Sequence, residues 1–136
     1  VELREDYLKS LQSYELGNET FHDAYLGAAM TLYAECEFTP WSKYSYFKDG
    51  TKLIESAIAH APSNAEFRYL RFLIQSQSPV FLNYSSKIDE DYQILRQHIR
   101  SNKHTDSPWI SFLNSYLEDI LKDKRYPAIK LHFHGS

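Results

Sequence analysis

Cysteine is almost missing from this chain. Cys36 is the sole example, which excludes an internal disulfide framework and any zinc site built from several thiolates. Glycine and proline are scarce too, four and five among 136 residues. That is too few for a β-sandwich, which needs a turn every ten or so residues. No apolar run approaches the roughly 20 residues that span a bilayer, so no transmembrane segment is expected. There is no basic excess either: 15 Lys and Arg stand against 18 Asp and Glu, for a net charge of -3. This argues against a general nucleic-acid binder. The sequence also lacks a GxSxG elbow, a Walker loop, a dinucleotide fingerprint, an HExxH pair and a helical Glu-x-x-His. No catalytic centre is recognisable, and no cofactor is expected.

What is present suits a helical globular chain. Hydrophobic residues make up 43% and charged residues 24%, which places it far from a disordered composition. The aromatic share is high at 15%, with 11 Tyr and 8 Phe, so large amphipathic rings are available to fill a core. Charge is unevenly spread. Residues 1–37 carry eight acids and two bases, whereas the remainder carries 13 bases and 10 acids. An acidic end and a mildly basic body favour contacts between copies, although solvated helix faces explain the same counts. The chain begins at Val1 rather than Met, which reads as a removed segment, either a signal peptide or the residues before an artificial boundary, and the residues themselves do not assign a compartment.

Helix signals recur along the chain. Leu3, Tyr7, Leu11 and Tyr14 predict a short amphipathic helix over 2–16, closed by Gly17-Asn18. Thr20 and Asp23 open a second to about Glu37, with Tyr25, Ala29, Leu32 and Cys36 along one side and Ala24, Gly27 and Ala28 allowing a close neighbour. Thr39-Pro40 starts a third, which carries Tyr44, Phe47, Thr51, Ile54, Ile58 and Ala61 and stops at Pro62. Ser63 to Glu66 has capping-box spacing and opens a fourth, through about Gln77, apolar around much of its circumference and expected to be the most buried. Residues 79–85 read as an apolar connection whose Phe81, Leu82 and Tyr84 tuck back onto the core. Ser86 and Asp89 cap a fifth helix, with Ile88, Tyr92, Leu95 and Ile99 inward. Ser107-Pro108 starts a sixth, with Trp109, Phe112 or Leu113, Tyr116 and Ile120. The fold class is therefore all-α: about six antiparallel helices in one domain over 1–125, in TPR-like stacking or an irregular bundle, followed by an extended tail over 126–136.

Gly50, Ile54, Ala57 and Pro62 stand at relative spacings 0, 4, 7 and 12. This resembles the second-helix pattern of a tetratricopeptide repeat, with Ile in the aromatic slot, and Leu26-Gly27 resembles the Leu-Gly of a first repeat helix. The chain departs from that family in having helices about three turns too long and in Arg71, which stands where the next repeat prefers Gly. The stretches SKYSYFKDGTKLIESAI (42–58) and FRYLRFLIQSQSPVFLNYSSKIDED (67–91) also resemble a family of exported bacterial proteins. That resemblance covers about half the chain, implies a periplasmic or otherwise exported helical domain, and supplies no activity; without it the chain would be read as cytoplasmic.

The best candidate ligand-binding group is the polar stripe of Arg68, Arg71 and Gln75, at i, i+3 and i+7 on an otherwise apolar helix, with Tyr84 of the adjoining connection. Two guanidinium forks on one face suit a carboxylate or other small anion. The structural alternative, pairing with acids of neighbouring helices or with loop carbonyls, explains the same stripe and is favoured. His132 and His134 are weak metal candidates, since a closed site needs two further ligands. Asp89, Glu90 and Asp91 complement the positive end of a helix dipole, and His98 and His104 the negative end. Cys36 lies between Glu35 and Glu37, the opposite of the cationic surroundings that activate a nucleophilic thiol. Asn18-x-Thr20 and Asn83-x-Ser85 match the glycosylation acceptor pattern. Trp41, Tyr44, Tyr46 and Phe47 cluster at the start of the third helix, where helical spacing makes most of them core. The leading functional expectation is a non-enzymatic module that binds a protein partner or itself. The alternative is a small anionic-ligand binder or enzyme built on the arginine stripe.

Overall fold

The computed structural model describes residues 19–122; the helix expected over 2–16, the tail over 126–136 and the histidines His132 and His134 lie outside them. Among the described residues there are five α-helices and no strand. They are α1 (Glu19–Ala34), α2 (Pro40–His60), α3 (Ala65–Gln77), α4 (Ile88–Ser101) and α5 (Pro108–Leu121), with a 3-10 turn at Val80–Leu82. The chain divides between Ile74 and Gln75 into two compact units, which are described separately.

In the first unit the tightest association is that of α1 with α2. Gly27 and Gly50 meet at the crossing. A Cβ on Gly27 would run into the carbonyl oxygen of Gly50, and one on Gly50 would stand 2.6 Å from that of Gly27. Side chains at both positions are absent because the backbones occupy their space. Gly27 faces Leu53 and Ile54 while Gly50 faces Met30 and Thr31, so the helices run antiparallel. The hydroxyls of Thr31 and Thr51 donate to carbonyls one turn back in their own helices, Ala28 at 2.7 Å and Lys48 at 3.0 Å. Polar atoms on this face are thus satisfied without a partner across the interface.

The close approach expected at Ala24, Gly27 and Ala28 is this crossing, whereas of the side with Tyr25, Ala29, Leu32 and Cys36 only Ala29 is buried. The buried residues include Ala24, Gly27, Thr31 and Ala34, a stripe of small side chains, whereas Leu32 is largely exposed. Close approach recovers dispersion contact along the whole helix, which outweighs burying one leucine. Ala24, Ile54, Ala57 and Ile58 join Phe67 and Leu70 of α3 in one apolar cluster. Phe21 packs edge-on to Phe67 with ring centroids 4.8 Å apart, and Tyr33 tilts against Tyr46 at 4.7 Å.

The helix starts follow local chemistry only in part. Thr39 caps α2 as expected, accepting from the Ser42 amide at 3.1 Å with Pro40 in the first turn. Helix α3 is capped by Asn64, whose Oδ1 accepts from the Phe67 amide at 3.0 Å, rather than by Ser63. Its side chains are buried on several sides, including Phe67, Arg68, Arg71, Phe72, Gln75 and Ser76.

In the second unit α4 and α5 carry large aliphatic stripes. Ile88, Tyr92, Leu95 and Ile99 are buried on α4, the residues that periodicity selects. On α5 the buried set is Ile110, Leu113, Leu117 and Ile120, which keeps the expected Ile120 and the Leu113 alternative but lies one position out of phase with Trp109, Phe112 and Tyr116. Trp109, Phe112 and Tyr116 instead form a column beside it, stacked at 6.2 Å and 6.2 Å between successive centroids. Two apolar stripes were available on α5, and the aliphatic one is buried without polar atoms to satisfy. Arg96 joins the two helices by donating to Asn114 Oδ1 at 2.9 Å. The 79–85 connection also departs from expectation. Leu82 and Tyr84 are half-buried, but Phe81 is 83% exposed. Asn83 takes a left-handed backbone, φ 52, which asparagine tolerates better than most residues.

Candidate functional site

Two groups of residues merit inspection: the polar stripe of α3 and the aromatic start of α2.

Both arginines of the stripe are almost fully buried, with Arg71 at 3% exposure. Arg71 Nη1 donates to Glu55 Oε2 of α2 at 2.7 Å, a charge-assisted bond that ties α3 to α2. Arg68 Nε donates to the Pro62 carbonyl at 2.8 Å, stitching α3 to the connection just before it. A carbonyl left over beyond the end of α2 thereby gains a donor. Gln75 works within the second unit. Its Nε2 donates to Asp91 Oδ2 at 2.9 Å, and its Oε1 accepts from the Lys87 amide at 3.0 Å.

The start of α4 differs from the expected Ser86 cap: its N-cap is Lys87, whose own side chain makes no cap hydrogen bond. The helix begins after Lys87, whose amide is satisfied by Gln75 from twelve residues away in sequence. Asp91 stands in the first turn of α4 as expected, and it is fully buried on Gln75. Ser76 contacts the Tyr116 hydroxyl at 3.1 Å. Burial lifts the Tyr116 phenol above its ordinary value, partly offset by hydrogen bonds from Ser76 and Gln77. Burial also lifts Tyr92, against the opposing pull of Arg96 and Arg100. Tyr84 is half-buried. The stripe therefore does two separate jobs: the arginines anchor α3 within the first unit, and Gln75 clamps the start of α4 in the second.

The aromatic start of α2 behaves differently from expectation. Tyr46 and Phe47 are half-buried, but Trp41 is 84% and Tyr44 52% exposed. Phe38, which attracted no notice in the sequence, is 95% exposed just before the helix. The cause is the register set by Gly27 and Gly50. In an antiparallel pair each step toward the start of α2 is a step toward the end of α1, and α1 ends at Ala34. The first turn of α2 projects past it. One signal was available beforehand. Trp41 shares its helix face with Lys48, Lys52 and Glu55, a polar stripe, so its phase was outward all along. Lys48 Nζ lies 6.0 Å over the Tyr44 ring, a cation–π contact along this face.

Among the described residues no group of three or more His, Cys, Asp or Glu side chains is placed to hold a metal ion. No described helix is long and apolar enough to cross a membrane. No protein family, curated protein or solved structure matches the chain.

Proposed function

We propose that this chain is a non-enzymatic protein–protein interaction module built on a TPR-like helix pair, with the aromatic start of α2 as its contact surface. The observation that carries the proposal is the exposure of Phe38, Trp41 and Tyr44 on one end of the first unit. Large aromatics are the residues that dominate binding energy at interfaces, and single exposed ones are common whereas three together are not. The TPR-like part draws support from the α1–α2 crossing. Gly27 belongs to the Leu-Gly of the resembled first helix and Gly50 is the small residue of the second, and these two meet.

The alternative, an anionic-ligand site at Arg68, Arg71, Gln75 and Tyr84, has less behind it. Its strongest donors already serve Glu55 and the Pro62 carbonyl. The test is chemical cross-linking in the native host with the wild-type chain and a Phe38→Ser/Trp41→Ser variant. A reproducible cross-linked protein that disappears in the variant is the expected result. The same cross-links from both chains, or none from either, would sink the proposal.

A further inference from the structure

The residues on either side of the exposed aromatics differ in sign. Before them, at the corner between α1 and α2, stand Glu35 and Glu37. After them, along the same face of α2 as Trp41, stand the exposed Lys48 and Lys52, roughly one and two turns beyond Tyr44. Lys43 adds a cation beside the aromatic middle, and Glu55, next along the face, is neutralised by Arg71, so the surface is a bar with an acidic end, an aromatic middle and a basic end. We propose that its occupant is a second copy of this chain, docked across a two-fold axis that passes through Trp41; this rests on the interaction-module reading above and names its partner.

Charge is the first argument. A two-fold axis through the middle of the bar reverses one copy against the other, so each acidic end faces the other copy's lysines. A nucleic acid or an anionic lipid surface would meet repulsion at Glu35 and Glu37, and a uniformly charged protein would match only one end. Area is the second. With aromatic side chains covering 150–250 Å² each, Phe38, Trp41 and Tyr44 expose roughly 500 Å² between them. Two copies then cover about 1,000 Å² before any rim contact, the size at which specific interfaces begin. The bar is thus large enough for a reversible dimer and small enough to leave the free chain soluble.

Sedimentation equilibrium across a concentration series tests this on the full chain. The wild type should show a monomer–dimer equilibrium, and Trp41→Ser should weaken it at least tenfold with an unchanged circular dichroism spectrum. The charge pattern supplies a sharper arm. Lys48→Glu/Lys52→Glu and Glu35→Lys/Glu37→Lys should each dimerise poorly alone, and a mixture of the two should form a heterodimer. A wild type that stays monomeric at every concentration overturns the second-copy assignment, as does a dimer that Trp41→Ser and both charge variants leave intact. A monomeric wild type that still gives Trp41-dependent cross-links to another protein leaves the interaction-module reading standing and removes only this inference.

Discussion

The α1–α2 pair and the α4–α5 pair solve the same problem, holding two antiparallel or neighbouring helices together, with opposite materials. In α1–α2 the contact is made of backbone: Gly27 and Gly50 leave no room for even a methyl group, and the flanking residues are Ala24, Thr31 and Ala34. In the second pair the buried faces are made of large side chains: eight of them, from Ile88 to Ile120, are buried, Arg96 bridges to Asn114, and Gln75 pins the start of α4 through Asp91 and Lys87. The first pair should therefore fail when atoms are added and the second when atoms are taken away.

The largest effect is expected from removing atoms in the second unit. Leu113→Ala empties a fully buried position and should cost about 3 kcal/mol in urea denaturation, in the usual range for core leucines. Adding one methyl in the first unit comes next. Gly27→Ala should destabilise by about 2 kcal/mol, because the clash with the Gly50 carbonyl outweighs the gain in helix propensity. An outcome in which Gly27→Ala raises stability, as it would at an ordinary helical glycine, breaks the comparison. Gln75→Leu is expected to cost a similar or slightly smaller amount, about 1.5 kcal/mol, by stripping partners from the Asp91 carboxylate and the Lys87 amide. Hydrogen exchange should show the loss at the first turn of α4 before anywhere in α1 or α2.

Alkaline pH sharpens the contrast between the units. Tyr92 and Tyr116 both titrate above their ordinary value of 10.0 when folded, mainly through burial. Their neutral forms fit the native state, so their contribution is fully present below pH 10 and is lost as pH rises through the folded pKa values. Thermal melts followed above that pH should fall more steeply for the wild type than for Tyr92→Phe/Tyr116→Phe, with amides of the second unit exchanging first. The smallest expected change in stability is that of Trp41→Ser, within about 0.5 kcal/mol, because the ring is exposed in the monomer. A large loss there would mean that the aromatic start of α2 is part of the fold rather than a contact surface.

The arginine stripe illustrates how much of a candidate site local sequence can carry. Spacing put Arg68, Arg71 and Gln75 on one face of α3, and all three are buried there. Their partners could not be read in the same way. Glu55 lies sixteen residues before Arg71 and Asp91 sixteen after Gln75, on helices whose facing depends on packing. The aromatic start of α2 shows the reverse failure. Trp41 and Tyr44 look like core by composition, yet Trp41 shares its face with Lys48 and Lys52, and the end of α1 at Ala34 adds to the exposure of this first turn.

The sequence by itself determined where the helices run. Pro40, Pro62 and Pro108 punctuate the chain, Thr39 caps α2, and the aliphatic period of α4 picks out its buried residues, because turns, caps and helical phase are local properties. Tertiary structure alone decided which partner meets the small residues of α1, which apolar stripe of α5 turns inward, and that Gln75 serves the start of α4. Each of those choices compares the fit of two surfaces against each other. Side-chain volume and register at the contact settle that comparison, and neither exists until the helices meet.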